Sequence, residues 1–336
     1  MMTRISKGAG IAAMAAAIAL SSSACGGGNT AGSNESGGGS DYPSKPIQLI
    51  VSFDPGGGTD TGARILATHL EDELGVPVQV VNQPGAAGWV GWASLVKADP
   101  DGYTLGYINT PNLMTGYLNP ELDRSNSLDD FWPIANHITD PGAIAVRADD
   151  DRFPDLDAFI KYAQENQVTT TSSGLASDDH IAALKINKEN GTKLETVQGT
   201  GAAEGKAGVL GGHIDAYFAN VGEVALEAES GDLRILGVMS EERSAFLPDV
   251  PTIEESGYGD IYNWSARGIA APAGIPENVQ EVLSEAFETA ITKPEHQAEM
   301  DEQALFIDYK GHDEYVEMLK KEEEDLMDLL PLLGWQ

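Results

Sequence analysis

The 336-residue chain is poor in cysteine, in basic residues and in long apolar runs. Its single cysteine excludes an intrachain disulfide. Lys and Arg number 20 against 53 Asp and Glu, and the formal net charge of −33 argues against nucleic-acid binding, because phosphate contacts require clustered basic side chains. The same imbalance disfavours attachment to an anionic bilayer through a basic face. No apolar run reaches the roughly 18 to 20 residues of a membrane-spanning helix.

The N-terminus has the pattern of a secretory signal. A positive segment with Arg4 and Lys7 precedes a short apolar core and a run of small residues. Residues 22–25 read SSAC and resemble the lipobox of bacterial lipoproteins, which implies cleavage before Cys25 and lipid attachment to it. We therefore predict a signal peptide at residues 1–24 and an extracytoplasmic protein anchored to the cell membrane by Cys25. The alternative is an ordinary cleaved signal followed by an unused thiol.

A linker is predicted between the lipidated cysteine and the folded part, at residues 25–41. Residues 26–41 read GGGNTAGSNESGGGSD and contain no large apolar side chain. Such a segment cannot offset its ordering entropy by burial, so we expect a flexible tether. Folded structure is expected to begin near Tyr42.

From Tyr42 onward, short β-branched runs alternate with amphipathic helical patterns. The predicted strands are 47–53, 78–81, 103–108, 143–147, 168–172, 214–218 and 233–239. The predicted helices are 59–74, 89–97, 155–164, 177–188, 201–210, 277–292 and 313–330. Hydrophobic residues make up 41% of the chain, enough for sizeable cores. This alternation predicts an α/β fold with mostly parallel sheets, and nearly 300 residues of it suggest two domains.

Three glycine-rich loops follow predicted strands and open predicted helices: 54–60, 84–89 and 172–180. Each would place free backbone N–H groups and the positive end of a helix dipole at the carboxyl end of a strand. In open α/β sheets this edge is the expected ligand site, and such donors suit a carboxylate or a phosphate. Tight-turn geometry alone is the competing explanation of the glycines.

Nucleotide and catalytic motifs are missing from these loops. No Lys follows the glycines as a Walker loop requires, and Thr61 stands where the dinucleotide fingerprint needs its last glycine. No G-x-S-x-G elbow is present, and neither His180 nor His213 has the i, i+4 partner of a zinc helix. We therefore predict no catalytic residues, no metal and no cofactor.

Several segments, in the same order, resemble the tripartite tricarboxylate transporter substrate-binding proteins, also called the Bug family. They are 43–67 (PSKPIQLIVSFDPGGGTDTGARILA), 82–91, 99–110, 172–184, 211–220, 231–258 and 267–277. The resemblance implies a type II periplasmic-binding-protein-like fold whose two domains close on a small carboxylate in an interdomain cleft. It places residues 42–141 and 243–336 in one discontinuous domain and residues 142–242 in the other. It also implies a monomer that delivers its ligand to membrane permease subunits and catalyses no reaction.

The resemblance further implies a set of ligand-binding residues on the loops that open helices. They are Phe53, Gly57, Gly58, Thr59 and Asp60 in the first loop, Ala86, Ala87 and Gly88 in the second, Asn109 and Thr110 after the third strand, and Ser172, Ser173, Ser177, His180, Gly199, Thr200, Gly201 and Asn220 in the second domain. Backbone N–H groups near Gly57 to Thr59 are expected to bind a carboxylate, with Phe53 as an apolar wall. Three of these residues have structural alternatives: Asp60 as a dipole-favoured helix residue, Ser177 as an N-cap, and Asn220 as the end of a turn.

Departures from the family pattern bear on the ligand. Ala219 stands where an Asp often precedes Asn220, and the loss of a cleft acid would remove a partner for an amino group. Val197 and Gln198 replace a common aromatic–Lys pair, and Trp89 replaces a small polar residue. We therefore predict a mono- or dicarboxylate without an amino group, with an aromatic ligand as one option given Trp89. A sensor subunit for a membrane kinase and, further away, an extracellular α/β hydrolase are the alternative functions.

Overall fold

A computed structural model of the chain describes residues 42–199 and 202–335. The predicted signal peptide, Cys25 and the predicted linker lie outside the described residues, as do Thr200 and Gly201 of the predicted site. Within the described part of the chain, no helix combines the length and apolarity needed to cross a membrane.

The described residues contain ten β-strands and ten α-helices, which mostly alternate along the chain. The strands are β1 (Ile47–Val51), β2 (Val78–Asn82), β3 (Thr104–Thr110), β4 (Phe131–Arg147), β5 (Gln167–Ser172), β6 (Lys193–Gln198), β7 (Ala216–Asn220), β8 (Leu233–Val238), β9 (Trp264–Pro272) and β10 (Ile307–Lys310). The helices are α1 (Gly58–Leu74), α2 (Trp89–Val96), α3 (Asn112–Leu118), α4 (Leu156–Glu165), α5 (Asp178–Asn190), α6 (Ala202–Leu210), α7 (Val221–Ser230), α8 (Glu277–Thr292), α9 (Pro294–Glu302) and α10 (His312–Leu329). Each predicted strand and helix overlaps one of these, whereas β6, β9, β10, α3, α7 and α9 were not predicted.

The 17-residue strand β4 belongs to two groups of strands. Its first part pairs antiparallel with β9 and β10, and β9 continues through β3 to β1 and β2. Its second part pairs antiparallel with β7 and β8, and β7 continues to β5 and β6. The β1–β2, β1–β3, β5–β6 and β5–β7 ladders are parallel, while the antiparallel ladders all involve β4 or β9. The predicted α/β fold class is confirmed.

The first core forms where the sequence pattern places it. Leu49 and Val51 of β1 pack in one hydrophobic cluster with Leu66 and Leu70 of α1, which lie four residues apart on one helix face. The helix ends at Gly75, whose φ of 68° is the left-handed conformation that commonly terminates helices. Burial of this apolar helix face against β1 fixes the start of α1 directly after the first glycine-rich loop.

A second core lies around the other part of β4. Ile144 of β4 clusters there with Phe153, Phe159 and Phe218. The described residues nevertheless fall within one compact unit. The division into two domains, with boundaries near residues 141 and 242, therefore stays a prediction.

Candidate functional site

A cleft of about 650 Å³ lies where strand ends from both parts of the sheet meet helix N-termini. Its wall includes the starts of α1, α5, α6 and α7, together with residues of β3, β7 and β9. The lining residues are Phe53, Asp54, Gly57, Gly58, Thr59, Asp60, Asn109, Asn112, Thr171, Ser172, Ser173, Asp178, Asp179, Ala202, Ala203, Gly205, Tyr217, Phe218, Asn220, Glu223, Ser265 and Arg267. Nine residues of the predicted site are among them.

The first glycine-rich loop forms one wall of the cleft. Gly57 is the N-cap of α1, and the helix begins at Gly58 with its positive end towards the cleft. The Asn109 side chain donates a hydrogen bond to Thr59 Oγ1 at 2.7 Å, which fixes that hydroxyl. This wall has the backbone donors that the sequence predicts.

Asp60 has the structural role given as its alternative. Its carboxylate accepts hydrogen bonds from Arg64 at 2.8 Å, from Asn82 at 2.8 Å and from the Gly56 N–H at 2.9 Å. Burial opposes ionisation, but these hydrogen bonds hold the pKa of Asp60 below its usual value. The carboxylate therefore fastens the loop to the first turn of α1.

A buried arginine that the sequence reasoning missed lies on the floor of the cleft. Arg267 of β9 is 2% exposed, and its Nη1 lies 3.2 Å from Asp140 Oδ2. Its Nη2 donates to Asn220 Oδ1 at 2.8 Å and lies 3.6 Å from Glu223 Oε1. Its Nε and Nη1 make no hydrogen bond. One signal could have found it, because it is the only charged residue in the strand WSARGIAAP.

The guanidinium lies directly against the start of α1. A Cβ built on Gly58 would come within 2.4 Å of Arg267 Nη1, so glycine is required for this approach. The arrangement brings a fixed positive charge and the positive end of a helix to the same point. It can bind an anion there, provided that the neighbouring carboxyl groups are not all ionised.

Three buried carboxyl groups surround this point. Burial raises the pKa of Asp140 to about 7, although Arg267 opposes the rise, and burial raises the pKa of Asp178 to about 6. Burial and the neighbouring Asp178 raise the pKa of Asp179 well above its usual value. Ala219 removes one acid, but Asp178, Asp179 and Glu223 line the cleft, so acidic partners for an amino group are still present. The argument against an amino group on the ligand loses its basis.

Asn220 connects the two parts of the cleft wall. Its side-chain amide donates to Asp178 Oδ2 and to the Asp140 carbonyl, both at 3.1 Å, while its Oδ1 accepts from Arg267. Its backbone N–H donates to Glu223 Oε2 at 3.2 Å, which is the turn-ending role given as its alternative. Both descriptions of Asn220 are compatible with its position on the cleft wall.

The loop before α5 divides into residues on the cleft wall and residues behind it. Ser172 and Ser173 line the cleft, and the Ser173 N–H donates to Asp179 Oδ2 at 3.1 Å. Ser177 is fully buried and caps α5 by accepting from the His180 N–H. The ring of His180 accepts from the Ala176 N–H at 2.9 Å. Neither Ser177 nor His180 lines the cleft.

The remaining predicted residues that the structure describes do not line the cleft, apart from those named above. Ala86, Ala87, Gly88 and Gly199 line an adjoining open cavity of about 940 Å³, which also contains Arg124 and is called the Arg124 pocket below. Thr110 is buried and lines neither space. Asn112 lines both and so lies at their junction.

Trp89 is not available to stack on a ligand. It is 2% exposed, and its ring makes edge-to-face contacts with Trp92 and Tyr117. The argument from Trp89 for an aromatic ligand is therefore wrong. In the described ranges 42–199 and 202–335, no group of three or more His, Cys, Asp or Glu side chains is arranged to hold a metal ion.

Comparisons with known proteins converge on one family. Residues 62–328 match the family model described as tripartite tricarboxylate transporter family receptor. Protein BugT of Bordetella pertussis is 32% identical over 254 residues, which is 74% of this chain and 77% of BugT. A TctC solute binding protein from Polaromonas is 32% identical, with a TM-score of 0.65 over 86% of this chain and 99% of the other. The MatC protein of Rhodopseudomonas palustris with bound malate shares the fold, with a TM-score of 0.80 at 22% identity over 86% of this chain and 100% of the other.

Proposed function

The chain belongs to the family of tripartite tricarboxylate transporter receptors, and we propose that it captures a small organic carboxylate in the cleft beside Arg267. Members of this family are extracytoplasmic solute-binding receptors, in agreement with the resemblance noted in the sequence. On this proposal the loaded receptor delivers the carboxylate to membrane permease subunits and acts as a monomer.

The observation that carries the proposal is the joint position of Arg267 and the start of α1. A carboxylate at this point would accept hydrogen bonds from backbone N–H groups of the Gly57–Thr59 turn and would face the guanidinium. The malate bound by the MatC protein supports a carboxylate as the ligand class.

The net charge of −33 does not prevent capture of an anion. At physiological ionic strength, charges beyond about 8 Å are largely screened, so local groups decide the affinity. Protonation of Asp140, whose pKa is about 7, of Asp179, and of Asp178 below about pH 6 reduces the local negative charge. Protonated Asp178 and Asp179, which line the cleft, would also offer hydroxyl donors to the ligand. Binding should therefore be coupled to protonation of these groups.

Closure of two domains over the ligand is part of the proposal. Residues 42–141 with 243–336 would form one body and residues 142–242 the other, which agrees with the separate hydrophobic cores. Arg267 belongs to the first group, and Asn220 and Glu223 belong to the second. Their contacts would link the two bodies at the floor of the cleft.

Attachment to the membrane through a lipidated Cys25 completes the proposal, with residues 25–41 as the tether. In a bacterial host, we expect the full-length chain to partition with membranes and Cys25→Ser to be released. Palmitate labelling measures this directly, and undiminished labelling of the Cys25→Ser variant would contradict the anchor.

A thermal-shift screen tests the function itself. A panel of mono- and dicarboxylates is added to the mature chain, and a ligand at 100 times its Kd should stabilise the protein by about 2.7 kcal/mol. Each hit is then checked for consumption by chromatography. If carboxylates are converted to products and none raises the melting temperature, the receptor function is wrong and a hydrolase takes its place.

A further inference from the structure

Arg124 differs from the other arginines of the described chain in having no acceptor among the described residues. The other six form ion pairs or hydrogen bonds with carboxylates or carbonyls: Arg64, Arg147, Arg152, Arg234, Arg243 and Arg267. Arg124 forms neither with any described residue, and its Nε is buried without a hydrogen-bond partner. This is unexpected in a chain with 53 acidic residues. An unpaired guanidinium that has lost part of its hydration calls for an acceptor from outside the protein.

The position of Arg124 is fixed by an aromatic contact. Its guanidinium carbon lies 4.6 Å from the centroid of the Trp89 ring, and Trp89 is held by Trp92 and Tyr117. Stacking on a buried ring orients the guanidinium without occupying its N–H groups. Burial lowers the pKa of Arg124, in keeping with a guanidinium that has lost part of its hydration.

The surroundings of Arg124 suit a carboxylate. No Asp or Glu lines the Arg124 pocket among the described residues, whereas five line the cleft. The turn before α2 also lines this pocket, so the positive end of that eight-residue helix lies beside the same space. Leu122 and Leu175 are about half exposed at its wall and offer apolar contact.

We propose that the Arg124 pocket binds the second carboxylate of the solute, with Arg124 as the residue that selects dicarboxylates over monocarboxylates. The first carboxylate would lie in the cleft beside Arg267, and the chain between the two groups would pass Asn112, which lines both spaces. This inference rests on the proposed function, because it assumes that the cleft holds a carboxylate. Arg124 here provides a bidentate, charge-assisted contact to one end of the ligand.

The test compares wild type with Arg124→Gln by calorimetry. The probes are succinate, glutarate, adipate and suberate, each paired with the monocarboxylate of the same length. We expect wild type to bind at least one dicarboxylate about 10- to 100-fold more tightly than its partner. Arg124→Gln should remove this preference and leave the monocarboxylate affinity within about twofold. Arg243→Gln, which removes a half-exposed arginine paired with Glu255, is the matched control and should change neither affinity.

Results other than these contradict either the role of Arg124 or the proposed receptor function. An unchanged dicarboxylate preference in Arg124→Gln, or no such preference in wild type, overturns the role of Arg124 and leaves the receptor function intact. If Arg124→Gln lowers the affinity for a dicarboxylate and for its paired monocarboxylate equally, Arg124 does not recognise the second carboxylate. If no carboxylate binds wild type, the proposed function fails as well. Near-ultraviolet circular dichroism and the unliganded melting temperature check that the variant is folded.

Discussion

A methyl group added at Gly58 tests whether the buried Arg267 is held against the start of α1. The new Cβ would lie 2.4 Å from Nη1, 3.1 Å from Cζ and 3.4 Å from Nη2 of Arg267. Ordinary contact distances require the guanidinium to retreat by about 1 Å. Since Arg267 is 2% exposed and bound to Asn220 and Asp140, it cannot retreat without stretching those contacts.

The expected cost follows from these contacts. Overpacking of a well-packed site typically costs about 1–3 kcal/mol, and rupture of a buried ion pair costs about 3–5 kcal/mol. Displacement without rupture should therefore destabilise Gly58→Ala by about 2–3 kcal/mol. For roughly 300 residues the unfolding entropy is about 0.6 kcal/mol per degree, so the melting temperature should fall by about 3–5 °C.

The adjacent glycine provides the control. Among the described residues, a Cβ on Gly57 would meet Ala202 Cβ alone, at 3.9 Å, and the φ of Gly57 is −84°, so alanine fits without strain. Gly57→Ala should cost no more than about 1 kcal/mol through the N-cap. Urea unfolding of both variants with the same probe gives the difference. Equal stabilities of the two variants would refute the reasoning, because the Arg267 contact distinguishes them.

Two further predictions concern pH. The pKa of Asp178 is raised to about 6, so binding of an anionic ligand should be accompanied by proton uptake. The affinity should therefore increase as the pH falls from 8 to 6, by up to about tenfold per pH unit. Calorimetry of Asp178→Asn should show a shallower pH dependence of the affinity, and an unchanged slope would contradict the coupling. Burial, and secondly His69, lower the pKa of His296 to about 4, so the unfolded chain binds a proton that the folded chain excludes between pH 6.5 and 4. The contribution of His296 to the free energy of unfolding should fall by about 1.4 kcal/mol per pH unit across that window. Thermal unfolding of His296→Gln should therefore show a smaller loss of stability on acidification than wild type. An identical loss of stability would exclude His296 as the cause.

The sequence predicted the strands and helices whose patterns are local. The β1–loop–α1 unit has β-branched residues, then glycines, then one apolar helix face, and each of these is recognisable without a partner. The first part of β4 was missed because Pro133 and Pro141 interrupt it and Asn136 and His137 are buried polar residues. His137 is accommodated by His296, 159 residues away, through a 2.8 Å hydrogen bond that no local pattern indicates.

The glycine-rich loops of the site could be predicted from the sequence, but the charged residues that line it could not. Gly57 and Gly58 follow from the turn they must make, and the structure places both on the cleft wall. Arg267, Asp140 and Glu223 come together only when β9, β4 and α7 are paired. A charged residue inside an apolar strand indicates that a buried partner exists, but the sequence does not identify which residue that partner is. Long-range pairing therefore determines which charges face the ligand.

The acids at the helix starts have a consequence for inorganic ions. α1, α5, α6 and α7 open towards the cleft, and each has an Asp or Glu in its first turn. Where such an acid is ionised, it offsets part of the positive end of its helix, so charge alone gains less there than charge combined with directed hydrogen bonds. Chloride and sulfate carry charge but no carbon chain that could reach further contacts, so they should gain little binding free energy in the cleft. We expect the receptor to stay vacant in a salty medium until a solute of matching length and hydrogen-bonding geometry arrives, which sodium chloride titrations of the carboxylate affinity can measure.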